Sequence, residues 1–233
     1  MRLAPLLFAA VFGLAAPLQA EERPVVVELF TSQGCSSCPP ADALLHELAK
    51  RDDVIALSLH VDYWDYIGWK DQFADPAHAE RQRAYAQTGG RRMIYTPQMI
   101  VNGQDSVVGV KPMKLNDLIR AHQKQPAVAT LKIEAVSDGE YRVQVSPTGT
   151  GSAARADVHF VRYAEMRSAD IKRGENAGRK IDYAHVVEDW QQVGQWDGSS
   201  DREFTIQMTG ENPGVILIQT QSTGRIQVAQ VIR

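Results

Sequence analysis

The amino-acid sequence predicts an α/β domain followed by an all-β sandwich domain. Apolar segments with strand-like and helix-like periods alternate in residues 21–125. Residues 126–233 carry only short strand patterns separated by turns. Pro126 stands between the two parts and marks the expected boundary.

Residues 1–20 resemble a cleavable secretory signal and are therefore left out of the predicted fold. Arg2 gives a short basic start, Leu3 to Leu18 are apolar or small, and Leu18-Gln19-Ala20 has the pattern of a cleavage site. An uncleaved anchor is the alternative, although the apolar run is short for a bilayer. We expect a secreted or periplasmic protein that has no membrane contact after cleavage, in a compartment where disulfides persist.

The charge of the chain excludes some classes of partner. The formal net charge is -3 and the sequence pI is near 6.1. Nucleic-acid binding needs a basic footprint, and binding to an anionic membrane surface needs a polybasic one. We therefore expect neither nucleic acid nor a membrane as a partner.

The first domain is expected to begin with a strand, a helix and a second strand. Val25 to Phe30 is an apolar run typical of a buried strand. Pro39 to Lys50 has apolar residues at the helical period, and both of its prolines fall in the first turn, where a missing N–H costs little. Val54 to Val61 is the second strand. The helix between the strands predicts a parallel pair with a right-handed crossover.

The remaining elements follow from caps, turns and periodicity. In the first domain they are a helix from Pro76 to Thr88 capped by Asp75, a hairpin of Gln98–Val101 and Gln104–Val108 around Asn102-Gly103, and a helix from Met113 to Gln123. In the second domain they are strands at Ala127–Val136, Tyr141–Val145, Asp157–Tyr163, Glu203–Met208, Val215–Thr220 and Ile226–Val231.

The only two cysteines stand in Cys35-Ser36-Ser37-Cys38, between the first strand and the first helix. A helix N-terminus favours a thiolate over a thiol, so this position predicts a redox-active pair. We expect Cys35 to be the attacking sulfur and Cys38 to resolve the mixed disulfide. A permanent bridge is one alternative. It closes a loop of about four residues and would contribute only roughly 2 kcal/mol. Metal binding is the other alternative.

The cysteine pair that opens a helix, together with Thr96-Pro97 opening a hairpin, resembles the thioredoxin fold. This resemblance implies that Pro97 is preceded by a cis peptide bond and that its backbone docks substrate opposite the cysteines. The ends of parallel strands meet at one sheet edge. Cys35, the segment from His60 to Asp65, and Pro97 are therefore expected to converge.

Four segments carry a closer resemblance, which extends over the mature chain. They are Glu28 to Pro40, His60 to Asp65, Tyr95 to Gly103, and Arg173 to Asn176. The segments are similar to those of the secreted thioredoxin-like family catalogued as domain of unknown function 1223. That resemblance implies no particular substrate. Residues 173–179 form a polar, glycine-containing loop that we interpret first as a structural turn, with reach into the cleft as the alternative.

Glu28 is an acid inside an otherwise apolar strand, which is costly unless it faces water or has a partner. The thioredoxin resemblance implies that Glu28 takes the proton of the second cysteine. The alternative is an acid at an exposed edge, or one paired with an arginine such as Arg91.

Aromatic, acidic and histidine side chains follow the second strand. His60 and Asp62 are two residues apart and are expected to share a face, so together with the thiolates they suit Cu(I). The alternative is that Trp64 and its neighbours cover the sheet edge. We expect His60, Asp62, Trp64 and Thr96 to line a substrate groove.

These observations predict an extracytoplasmic thiol-disulfide oxidoreductase that uses Cys35, Cys38, Pro97 and Glu28. Its partners would be protein or small-molecule thiols and disulfides, and it would need no cofactor beyond the Cys35–Cys38 disulfide. Two alternatives stay open. One is a periplasmic Cu(I) chaperone that uses Cys35, Cys38 and His60. The other is a binding module with an inert disulfide.

Overall fold

Two β-sheets and three α-helices make up residues 23–233, the part of the chain that the structure, a computed structural model, describes. The leader predicted for residues 1–20 lies outside the described residues. No helix within residues 23–233 has both the length and the apolar character that crossing a bilayer requires.

The elements are numbered in chain order. The helices are α1 (Pro39–Leu48), α2 (Pro76–Thr88) and α3 (Pro112–Gln123), with a short 3₁₀ turn at Asp65–Ile67. The strands are β1 (Val25–Thr31), β2 (Val54–His60), β3 (Gln98–Val101), β4 (Asp105–Val108), β5 (Ala129–Ser137), β6 (Glu140–Pro147), β7 (Ala156–Asp170), β8 (Lys180–Trp196), β9 (Arg202–Gln207), β10 (Gly214–Thr220) and β11 (Ile226–Ile232).

The predicted fold class, an α/β thioredoxin-like domain followed by an all-β sandwich domain, is wrong. Strands from both halves form one mixed eight-stranded sheet in the order β11-β10-β7-β8-β2-β1-β3-β4. The physical reason is the outer edge of β2, which hydrogen-bonds to β8 at the register Ser58↔Val186 and so continues the sheet into the second half. The chain is predominantly β, and the predicted boundary at residue 126 falls in the irregular segment between α3 and β5. The division into domains at residues 21–125 and 126–233 stays a prediction.

The local predictions for the first half agree with the structure. Strands β1 and β2 are parallel, as the intervening helix predicts. The β3–β4 hairpin turns at Asn102 and Gly103, which both have positive φ, as a two-residue turn of this type requires. The side chain of Asp75 caps α2 by accepting a hydrogen bond from the Ala77 N–H at 2.8 Å.

Strand β8 and half of β7 have no counterpart among the strands predicted from the sequence. The two strands form a long antiparallel ribbon whose register shifts at two places. His185 lies within β8 with φ of 49°, a left-handed conformation that interrupts an extended strand. The part of β8 before His185 leaves β2, and Tyr183 there lies with its ring centroid 4.7 Å from that of His60. The ribbon therefore brings a distant part of the chain to the end of β2.

Helices cover both faces of the strands around β1. Val27 and Leu29 pack with α1 and α3 on one face, whereas Val26 and Phe30 pack with α2 on the other. The second sheet, β5-β6-β9, packs against the far strands of the large sheet through a core that includes Phe160. Strand β1 is buried along its whole length.

A buried ion pair holds α2 against strands of both halves. The Nε of Arg81 on α2 lies 2.6 Å from Oε1 of Glu28 on β1, and Tyr85 donates its hydroxyl to the same carboxylate. The Arg81 guanidinium also donates to Gln219 on β10 at 2.9 Å and lies 3.8 Å from the ring centroid of Trp190 on β8. Glu28 is fully buried, so its charge depends on these partners.

Removing the charge of Glu28 is expected to destabilise the fold strongly. Glu28→Gln leaves the Arg81 guanidinium without its carboxylate in a buried site, and breaking such a pair costs about 3–5 kcal/mol. Urea unfolding with the disulfide intact measures the loss. The matched control is Glu80→Gln on the same helix, whose pair with Arg83 is exposed and contributes at most about 1 kcal/mol. Equal losses in the two variants would contradict the prediction.

Candidate functional site

The two cysteines form a disulfide at the N-terminus of α1. The Cα atoms of Cys35 and Cys38 are 5.4 Å apart, and Cys38 is the N-cap of the helix, with Pro39 directly after it. A turn holds the pair, because the Cys35 N–H donates to the Ser32 carbonyl and the Cys38 N–H donates to the Cys35 carbonyl, both at 3.1 Å. The positive end of the helix dipole therefore points at the disulfide.

Both cysteines are buried, although the two residues between them are not. Cys35 is 2% exposed and Cys38 is fully buried, whereas Ser36 and Ser37 are exposed. The loop thus presents its serines to solvent and turns its cysteine side chains toward the protein. Neighbouring segments must cover the disulfide.

A cluster of polar side chains lies in the core beneath the disulfide loop. We call Thr31, Asp42, His60, Asp71 and Tyr183 the buried polar cluster. Thr31 ends β1, His60 ends β2, and the two are paired in register. The other members come from α1, from the loop after the 3₁₀ turn, and from β8. All of these side chains except Tyr183 form hydrogen bonds with one another or with the backbone of the disulfide loop.

Asp42 is the member of the cluster nearest in sequence to the cysteines. It follows Cys38 by one helical turn, and because Cys38 has α-helical φ and ψ, the two side chains share one side of α1. Oδ1 of Asp42 accepts a hydrogen bond from the Thr31 hydroxyl at 2.7 Å, whereas Oδ2 has no partner among residues 23–233. Burial raises the pKa of Asp42 to about 7. The carboxyl can therefore gain or lose a proton near neutral pH.

Asp71 ties His60 to the disulfide loop. Its Oδ2 lies 2.7 Å from Nδ1 of His60 and accepts the Gln33 N–H at 2.8 Å. The His60 ring makes edge contacts with Phe73 and Tyr183, at centroid distances of 5.3 and 4.7 Å. Nε2 of His60 has no hydrogen-bond partner within the described chain. The carboxylate and the aromatic rings thus fix the imidazole in one orientation.

The segment after β2 covers one side of the disulfide loop. The Trp64 Nε1–H donates to the Thr96 hydroxyl at 2.7 Å, and the Thr96-Pro97 peptide bond is cis. A Cβ at Gly34 would lie only 3.1 Å from Cβ of Trp64 and 3.2 Å from Cδ1 of Ile67. Gly34 therefore allows a close approach between the disulfide loop and this segment. Trp64 connects that loop to the start of β3.

The loop between β7 and β8 covers the other side. The side-chain amide of Asn176 donates to the carbonyls of Gln33 and Cys35, both at 2.9 Å. Oε2 of Glu175 accepts the Ser36 N–H at 3.2 Å, and hydrogen bonding with the side chain and then the backbone of Ser36 lowers the pKa of Glu175. Residues 173–179 therefore contact the disulfide loop, as the alternative to a plain structural turn predicted.

The structure brings some predicted site residues together and separates others. Cys35, Cys38, His60, Trp64 and Thr96 belong to one connected region. Glu28 does not reach it: its side chain points to the α2 face of β1, whereas α1 packs on the opposite face. The predicted alternative for Glu28, a pair with an arginine, is correct in kind, but the partner is Arg81 rather than Arg91.

Asp62 is also separate from the others. It lies beyond the end of β2, and within residues 23–233 its side chain forms no hydrogen bond with another predicted site residue. His60, in contrast, is fully buried. Because β2 ends at His60, the strand alternation on which the predicted shared face rests does not extend to Asp62.

Asp42, Asp71 and Asn176 belong to the site but were not predicted from the sequence. Asp42 stands four residues after Cys38 in a predicted helix, so the helical period alone places it below the cysteine. Asp71 ends the aromatic run that begins at His60, and Asn176 ends one of the segments that carry the family resemblance. The local signal existed for each of them. The contacts that join them depend on the long-range path of β8.

Within the described residues, no group of three or more His, Cys, Asp or Glu side chains is arranged to hold a metal ion. A large cavity of about 1340 Å³ opens at the opposite ends of β1 and β2, where Arg23, Arg51, Arg120 and Lys124 contribute to its wall. Neither cysteine lines this cavity. We place the candidate site at the disulfide because the convergent polar groups lie there.

The raised pKa of Asp42 predicts how stability depends on pH. Between about pH 4 and pH 7 the folded state keeps a proton that the unfolded state releases, so the free energy of unfolding falls as pH rises, by up to about 1.4 kcal/mol per pH unit. Asp42→Asn is expected to remove this slope, and the control Asp52→Asn, at an exposed site, to keep it. Urea unfolding of the oxidised proteins from pH 4 to pH 7 measures both. Identical slopes for the wild type and Asp42→Asn would refute the prediction.

Comparison with solved structures finds the same fold elsewhere. A crystal structure of an Agrobacterium tumefaciens protein is 34% identical over 91% of this chain and 96% of its own, with a TM-score of 0.78. HBP35 of Porphyromonas gingivalis is 15% identical, covers 91% of this chain and 75% of its own, and has a TM-score of 0.56, which shows similarity of fold alone. A domain of the outer membrane lipoprotein Omp28 from the same organism has a TM-score of 0.29, too low to support any argument.

Sequence comparison identifies a family but no characterised relative. No curated protein matches the chain significantly. The family model described as protein of unknown function (DUF1223) matches residues 26–219, which include the disulfide, the buried polar cluster and the β7–β8 loop. The resemblance to domain of unknown function 1223 is therefore confirmed, and the chain belongs to the DUF1223 family.

Proposed function

We propose that the protein is a thiol-disulfide oxidoreductase that works outside the cytosol. The observation that carries this proposal is the position of the Cys35–Cys38 disulfide, between the N-terminus of α1 and a buried carboxyl that titrates near neutral pH. A bridge that closes so short a loop contributes little to stability. The helix N-terminus and the buried carboxyl, in contrast, are groups that dithiol chemistry uses.

The helix supports the thiolate that the reaction needs. Cys38 is the N-cap of α1, so the positive end of the helix dipole lies at the pair and stabilises negative charge on sulfur. Because the first two helical residues are prolines, they contribute no N–H groups there. The dipole therefore acts mainly through space rather than through amide hydrogen bonds.

The proposed reaction proceeds in two exchanges. The thiolate of Cys35 attacks one sulfur of a substrate disulfide, which forms a mixed disulfide and releases the first substrate thiolate. Cys38 then loses its proton and attacks Sγ of Cys35, which closes the Cys35–Cys38 disulfide and releases the second substrate thiolate. The substrate gains two electrons and the dithiol loses two, and the reverse sequence oxidises a substrate dithiol.

Asp42 is the group to which we assign the proton of Cys38. It lies one helical turn from Cys38 and has a free carboxylate oxygen, and its pKa of about 7 lets it accept and return a proton at neutral pH. His60 and Asp71 lie in the same buried polar cluster as Asp42. Asp42 thus takes the role that the sequence analysis gave to Glu28.

Thr96 and Pro97 are proposed to dock the substrate beside Cys35. Trp64 binds the Thr96 hydroxyl and packs closely on Gly34, which precedes Cys35. An extended substrate segment on the Pro97 backbone would therefore lie next to the disulfide loop. The proposed substrates are disulfides or thiols of proteins or small molecules.

The compartment is proposed from residues 1–20. Their basic start, apolar run and small-residue end are typical of a secretory signal, so we infer that the dithiol works in the periplasm or outside the cell. Disulfides persist in these compartments. The pair can therefore cycle without cytosolic reductants acting on it.

Reduction of a peptide disulfide is the direct test. The reduced wild type is expected to cleave the disulfide and to become oxidised, whereas Cys35→Ser loses this activity because the attacking sulfur is gone. Cys38→Ser is the matched variant: it is expected to form the mixed disulfide and to stop there, which mass spectrometry detects. Equal rates for the wild type and Cys35→Ser would end the proposal. An intact disulfide in dithiothreitol, short of unfolding, would favour an inert binding module instead.

The role of Asp42 predicts a defect in the second exchange only. In Asp42→Asn the mixed disulfide is expected to form at the wild-type rate and to resolve at least about tenfold more slowly at pH 7, because the proton of Cys38 lacks its acceptor. Near pH 9 the two proteins are expected to converge, since the thiol then ionises without help. Stopped-flow kinetics with acid quench separates the two steps, and Asp52→Asn is the control. Slowing of the first exchange alone would contradict this role.

A further inference from the structure

We infer that Asn176 is a positioning residue that holds Cys35 in place and controls access to its sulfur. The inference deepens the proposed function, since it names the residue that regulates entry to the same site. It is carried by two contacts that join Asn176 to the loop of Cys35, although 141 residues separate them in sequence.

Both donor hydrogens of the Asn176 side-chain amide are used, and its oxygen Oδ1 has one donor. Both hydrogen bonds leave from Nδ2, one to the Gln33 carbonyl and one to the Cys35 carbonyl, and the Asn176 carbonyl oxygen accepts a hydrogen bond from Arg179 at 3.0 Å. The side chain is 1% exposed, so water does not replace these bonds in the closed state. A residue without two donor hydrogens cannot hold both carbonyls.

The loop that carries Asn176 is built to hold this position. The Ile171 N–H donates to the Arg179 carbonyl at 2.9 Å and the Gly178 N–H donates to the Ile171 carbonyl at 2.8 Å, which closes the base of the loop. Gly174 has φ of 76° and lies against Trp69, where an added Cβ would come within 3.3 Å of that side chain. Trp69 in turn donates to the side-chain oxygen of Gln33 at 2.8 Å. The loop is therefore anchored on the same segment as the disulfide loop.

The consequence for Cys35 is steric. With Asn176 bound, Cys35 is 2% exposed, yet the first exchange requires a substrate sulfur to reach it in line with the bond that breaks. The loop must therefore open before the first exchange. Opening breaks both Asn176 bonds and the contact between Glu175 and the Ser36 N–H, and leaves the ribbon β7–β8 intact. Access is thus a local step, separate from global unfolding.

Alkylation of the reduced protein tests this inference without any substrate. Iodoacetamide is added to the wild type, Asn176→Ala, Asn176→Asp and the control Ala177→Ser, which changes an exposed residue of the same loop. Modification of Cys35 is followed by mass spectrometry, and the free energy of unfolding of each protein is measured in urea. Asn176→Asp keeps the size of the side chain and removes its donors, so it separates the loss of hydrogen bonds from the loss of volume, and the urea measurement identifies a variant that merely folds poorly.

The expected result is that Asn176→Ala and Asn176→Asp are modified at least about tenfold faster than the wild type, because two hydrogen bonds no longer oppose opening. Ala177→Ser is expected to stay within about twofold. For the wild type, the modification rate should depend only weakly on low urea concentrations, as local opening does. Wild-type rates in both Asn176 variants, or acceleration only in proportion to lost global stability, would overturn the inference. If wild-type protein reduces no disulfide but these rates hold, the proposed function fails and the role of Asn176 stands.

Discussion

The pairing of β2 with β8 is the interaction on which the rest of the molecule depends. It joins strands of the two halves into one sheet at the register Ser58↔Val186. One residue earlier, His185 has a left-handed backbone, and the segment of β8 before it pairs with β7 and carries Tyr183 to the end of β2. Without this path, Tyr183 would not reach His60 and Asn176 would not reach the disulfide loop.

The two faces of β1 show how the chain manages charge in its interior. On the α2 face both oxygens of the buried Glu28 carboxyl are bonded, one to Arg81 and one to Tyr85, so the group serves structure. On the α1 face Asp42 has one hydroxyl partner and a free oxygen, and burial raises its pKa to about 7, so its proton is exchangeable near neutral pH. Both acids are buried, but Glu28 is paired with an arginine and Asp42 is not.

Structural elements whose geometry depends only on neighbouring residues could be predicted from the sequence. The period of Pro39–Leu48, the cap at Asp75 and the Asn102-Gly103 turn each contain the information for their own geometry. The fold class was not predictable in this way. A strand with irregular register and an exposed outer half, such as β8, gives no clean alternation, and its pairing with β2 depends on residues far apart in the chain. The side of β1 to which Glu28 points was not predictable for the same reason, because its partner comes from α2, which covers the face of β1 opposite to α1.

The distance along the chain between the cysteines and their cover has a consequence for biogenesis. Synthesis proceeds from the N-terminus, so the segment with Cys35 and Cys38 emerges from the ribosome long before Asn176, which follows Cys35 by 141 residues. During that interval the β7–β8 loop does not yet cover the two thiols, so an oxidant that meets the growing chain can reach both of them. The disulfide can therefore form on the nascent polypeptide, and the β7–β8 loop then folds over a bond that already exists.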